Sequence, residues 1–70
     1  MKKYRVVTES CEAMIALVSD LVKMKVKFKV ECPFYWVVEF GSLLDETGVK
    51  LCLDMEAGGR FAGKYAVEKI

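Results

Sequence analysis

Histidine is absent from this chain of 70 residues. With it go the commonest general base near neutral pH and the commonest metal ligand. Glycine is sparse and forms no phosphate cradle. Gly58-Gly59 is followed by Arg60-Phe61, not by the Gly-Lys-Ser that opens a phosphate-binding helix. No dinucleotide fingerprint is present. No apolar run approaches the roughly 20 residues that a membrane span needs. The start, MKKYRVV, has two lysines but no apolar stretch of the signal-peptide kind. Charge of one sign is lacking too. Lys plus Arg is 11, Asp plus Glu is 10, and the formal net charge is +1. That balance gives no global pull toward nucleic acid or an anionic membrane, so either would need a local patch.

Cysteine is scarce and odd in number: Cys11, Cys32 and Cys52. Their spacing fits neither a zinc knuckle nor a Cys-x-x-Cys redox pair. Each lies in an apolar pattern, so they read as buried free thiols of a reducing compartment. The expectation is a soluble cytoplasmic protein without cofactor or metal. Cys11 falls in the first turn of an expected helix, where a thiol pKa can drop. A nucleophile also needs a base, and no histidine can serve. Asp54 and Glu56 are the one close carboxylate pair outside a turn, and they read as a solvated face. The chain is expected not to be an enzyme.

What is present is apolar. Hydrophobic residues make up 54% of the chain, enough to argue against disorder. A single domain spanning residues 1–70 is expected. The organising stretch is Val22–Cys32, VKMKVKFKVEC, which alternates without a break. Val22, Met24, Val26, Phe28, Val30 and Cys32 share one parity; Lys23, Lys25, Lys27, Lys29 and Glu31 share the other. Such a period of two predicts a strand with one buried face and one lysine-lined face.

Before it, KYRVVT over Lys3–Thr8 predicts an inner strand, with apolar residues on both faces. Glu9 to about Val22 predicts a helix, capped by Thr8 or Ser10. Its apolar stripe of Cys11, Met14, Ile15, Val18, Leu21 and Val22 is wider than one sheet face needs. After it, Pro33 and Phe34 break the strand and YWVVEF over Tyr35–Phe40 returns antiparallel. The apolar parities coincide when Val30 faces Val38 and Phe28 faces Phe40, with Lys29 opposite Glu39. Gly41 reads as a bulge, Leu43 and Leu44 as a continuation of that strand. Asp45-Glu46-Thr47-Gly48 reads as a type I turn. VKLCLDM over Val49–Met55 alternates again and predicts a fourth strand. Residues 61–70 fit a last strand better than a helix.

The fold expected is α+β: a two-layer sandwich with one amphipathic helix on a 4–5-stranded, mainly antiparallel sheet, in the order β-α-β-β-β(-β). Its opening resembles half of a ferredoxin-like unit, but the second helix of that fold is not evident. The functional expectation is a non-catalytic module that docks on a larger protein as a modulator or inhibitor, or self-associates. By analogy of size alone, its origin would be viral or a mobile element. The candidate docking residues are Leu17, Asp20 and Met24. The alternative is nucleic-acid binding through Lys23, Lys25, Lys27 and Lys29, with Tyr35 to stack bases. A weaker alternative is a small-ligand regulatory domain.

Overall fold

A computed structural model describes residues 1–70, Ala57 excepted. The first strand, β1 (Lys2–Thr8), is the inner strand that its two apolar faces require. It leads into helix α1 (Cys11–Lys23). Both expected capping residues are used there. Ser10 Oγ accepts from the Ala13 N–H at 3.1 Å, and Thr8 Oγ1 accepts from the Ser10 N–H at 3.2 Å. Each satisfies a donor that the first turn would leave unpaired.

The alternating stretch Val22–Cys32 is not one strand. Val22 and Lys23 belong to the last turn of α1, and strand β2 is confined to Phe28–Glu31. A helix stop intervenes. The Lys25 N–H donates to the Val22 carbonyl at 3.1 Å, and the Val26 N–H to the Leu21 carbonyl at 2.9 Å. This is a Schellman stop, and it puts Lys25 in the left-handed region at φ 58°. The stop competes with the strand because it satisfies carbonyls that the helix end would otherwise orphan.

Strand β3 (Trp36–Ser42) returns against β2 in the register that the apolar parities demand. Phe28 pairs with Phe40, Lys29 with Glu39, Val30 with Val38 and Glu31 with Val37. Gly41 is not a bulge. It pairs with Lys3 in an unbroken ladder, and a side chain there would strike Met1, whose Sδ lies 2.6 Å from the Cβ position. Leu43 and Leu44 leave the sheet.

The expected turn and fourth strand over residues 45–55 form instead a helix, α2 (Glu46–Asp54). Asp45 Oδ1 accepts from the Gly48 N–H at 2.8 Å. The Asp-x-x-Gly tetrad is thus a helix start rather than a turn. A 3-10 turn follows at Glu56–Gly59, and β4 (Ala66–Lys69) closes the fold.

The sheet order is β2-β3-β1-β4, with every neighbouring pair antiparallel. The element order βαββαβ with this arrangement is the split βαβ unit of ferredoxin-like domains, and α2 supplies its second helix. The two-layer α+β architecture stands. The uninterrupted meander does not, because β3 and β4 run parallel with β1 between them and need a crossover. The core lies between sheet and helices: Tyr4 and Val6 from β1, Val38 from β3, Leu17 and Leu21 from α1, Val49 and Leu53 from α2. Its one buried hydroxyl of a tyrosine, on Tyr4, donates to the Leu44 carbonyl at 2.6 Å. Burial, then the charges of Asp45 and Glu46, hold that phenol above its ordinary pKa.

Candidate protein-docking surface

Position along α1 decides which side chains are free. Ala13, Leu17 and Leu21 recur at i, i+4 and i+8 and point into the core. Leu17, a candidate for docking, is only 3% exposed. It is a core residue, because the helix meets the sheet on its own stripe. The strongly exposed apolar residues share one flank. Ile15 is 54% exposed, Val22 is 59%, and Cys11 is exposed beside them on the helical wheel. Met24, the C-cap, is 63% exposed, as a docking residue requires.

The opposite flank of α1 is occupied from within. Asp20 is half-buried and lies near the carboxyl of Glu56 in the 3-10 turn. Burial first, and then Asp20, raise the Glu56 pKa to about 7, while Lys23 opposes the rise. Nearby, the Tyr65 O–H donates to the Ala13 carbonyl at 2.8 Å, and Arg60 bridges Glu12 at 2.8 Å. Burial, then Glu56 and Asp20, push the Tyr65 phenol up to about 12. Asp20 is therefore an internal contact and does not join Met24 on one surface.

The sheet continues the exposed flank. Helix α1 lies over β1 and β3, and α2 over β4. Strand β2 is left at the margin. Val30 and Val38 are directly paired on the helix side, yet Val38 is 0% exposed and Val30 is 37%. Beyond β2, the hairpin carries Phe34 at its tip, 91% exposed. Ile15, Val22, Val30 and Phe34 were not singled out by sequence reasoning. The signal was present, in an apolar sector of α1 too wide for one contact. What was missing was the side of the sheet that the second helix takes.

The lysines do not form a ladder. Lys23 is in α1, Lys25 in the helix stop, Lys27 in the link, and only Lys29 in a strand. Tyr35 stands in the β2–β3 hairpin, at the opposite end of the sheet from Lys25 and Lys27. The open sheet face carries a row of alternating sign: Lys29, Glu39, Arg5, Glu68. Arg5 lies 3.7 Å from both Glu39 and Glu68, and Lys29 lies 2.7 Å from Glu31. That hydrogen bond and charge raise the Lys29 pKa and lower that of Glu31. Asp54 and Glu56 share no strand face; the first ends α2 and the second starts the 3-10 turn.

The cysteines are free, as expected, but exposed rather than buried. Cys11 lies on the outer flank of α1, Cys32 follows the last residue of β2, and Cys52 turns outward on α2. No helix among the described residues is long and apolar enough to cross a membrane. A cleft of about 750 Å³ lies near the start of α1, between Thr8, Tyr35, Phe61 and Tyr65. Its Arg60 and Glu12 are spent on each other. Comparison with family models, curated proteins and solved structures finds no match to this chain.

Proposed function

We propose that the protein is a non-catalytic, cytoplasmic docking module, a small modulator or inhibitor that seats on a larger protein. The seat is the outer flank of α1 together with the margin of the sheet at β2. The observation that carries this reading is the contrast between Val38 and Val30. The helix layer covers three strands and only the start of the fourth, at Phe28, leaving the helix-side Val30 more than a third exposed beside the exposed α1 flank. A partner laid along α1 over β2 completes the layer. Exposed apolar patches of this kind mark interaction surfaces more often than isolated apolar residues do. Three free, exposed thiols support a reducing surrounding.

Magnitudes favour a large partner. Covering an exposed Val or Ile fully is worth about 1.5–3 kcal/mol, so covering a half-exposed one gains about 1. Ile15, Val22 and Val30 together gain about 3 kcal/mol, short of the roughly 4–15 kcal/mol that association costs. The rest must come from anchors beside them, and Phe34 and Met24 are placed to supply it. Aromatic side chains seated in a partner's pocket dominate many interfaces.

The experiment is site-specific photocrosslinking in the source cells. A photoreactive amino acid replaces Val22 in one protein and Glu68, on the open sheet face, in another. One discrete heavier adduct from position 22 and none from position 68 is the expected result. Adducts from position 68 alone, or only the chain's own dimer from position 22, would contradict the reading.

A further inference from the structure

A second cleft, of about 670 Å³, opens at the end of the sheet where β1 and β2 begin. Lys3, Lys25, Lys27 and Lys29 line it, against one carboxylate side chain, that of Glu39. Glu39 is drawn toward Arg5, and Lys29 is bridged to Glu31. Lys3, Lys25 and Lys27 make no ion pair among the described residues. In a chain whose net charge is only +1, this is a local concentration of unspent positive charge. Its apolar lining on the lysine side is Met1 and Ile70, while Val26, Phe28 and Phe40 border it from the helix side, where they pack on the core.

We propose that this cleft binds a small organic anion carrying phosphate groups. Lysine ammonium groups act on phosphate as point charges on flexible stems, and several can converge on one group. The volume falls within the roughly 300–1,000 Å³ of small-molecule sites, and an inorganic phosphate would not fill it. The apolar wall suits the organic part. The backbone at Lys25 points the same way. It sits at φ 58°, the position of a helix stop where glycine is usual and a side chain is strained. Strain retained beside a cleft is a mark of ligand sites. The cleft borders the docking surface along β2 but uses none of Ile15, Val22, Met24, Val30 or Phe34.

Calorimetric titration of the intact protein with ATP, pyrophosphate and a single-stranded oligonucleotide tests it. Wild type should bind one ATP saturably, more tightly than pyrophosphate and more tightly than the oligonucleotide. Lys25→Gly should weaken ATP about ten-fold while raising the thermal midpoint, since it removes one charged contact and the strain together. Lys27→Gln should weaken ATP to a similar degree at an unchanged midpoint. Unchanged ATP affinity in Lys25→Gly overturns the proposal, and so does the absence of saturable ATP binding below millimolar concentration. Equal affinity for pyrophosphate shows charge attraction without an organic site. Tighter, steeply salt-dependent binding of the oligonucleotide assigns the lysines to a nucleic-acid backbone. Either result also overturns it.

Discussion

Val30 and Val38 share a row of the sheet, a side-chain type and a face, and differ in what lies above them. Val38 is fully buried and Val30 is 37% exposed. Truncation separates the two environments without changing chemistry. Val38→Ala should cost about 2–3 kcal/mol, for two lost methyl groups plus the cavity they leave. Val30→Ala should cost under about 1 kcal/mol. Chemical denaturation of the two variants measures the difference. Equal costs would mean that β2 is covered in the free protein. Lys25 shows another single-residue effect. The alternation around it was legible, and Val26, Phe28 and Val30 do share a parity opposite Lys27 and Lys29. The left-handed backbone that splits the stretch was not legible, because lysine is a poor signal for a conformation usually given to glycine.

The β2–β3 hairpin was the most legible element. Phe28, Val30, Val38 and Phe40 admit one register that puts them on one face, and a slip by one residue would turn one strand's pair to the opposite face. Residues 49–55 carried two periods at once. Val49, Leu51, Leu53 and Met55 alternate, but Val49 and Leu53 also stand one helical turn apart. What decides is Asp45, whose carboxylate caps the first turn of α2, and the crossover that parallel strands β3 and β4 require. Asp45→Ala should lower stability by about 1 kcal/mol, read in a urea melt. A loss near zero would show that packing alone holds α2. The 3-10 turn is tied to α1 by the carboxyl pair Glu56 and Asp20. The Glu56 pKa stands at about 7, above its ordinary 4.5. The folded state thus holds that proton more tightly than the unfolded chain. The contribution is fully present below the ordinary value and is lost as pH rises through about 7. The thermal midpoint should therefore fall between about pH 5 and pH 8, and Glu56→Gln should flatten that slope. An unchanged slope in the variant would assign the pH dependence elsewhere.

At the scale of the whole molecule, the fold spends its apolar residues unevenly. One face of the sheet carries a row of alternating charge, paired across β3, β1 and β4 through Arg5 and within β2 through Lys29 and Glu31. The other face is layered by α1 and α2 as far as β3 and only in part over β2, at Phe28. The fold class and the excess of apolar surface were legible from composition and period. The docking residues were only partly legible: Met24 is exposed, whereas Leu17 fills the core and Asp20 holds the 3-10 turn. Helical phase alone cannot say which part of a wide apolar stripe faces inward; that depends on where the second helix lies. The central claim is that Ile15 and Val22 stay apolar for a partner and not for the fold. The direct measurement is the paired variant Ile15→Glu with Val22→Glu, assayed for stability by denaturation and for binding to the crosslinked partner. Stability should remain within about ±0.5 kcal/mol of wild type, as for other surface changes, while binding falls more than about ten-fold. Retained binding, or unfolding of the domain, would contradict the account.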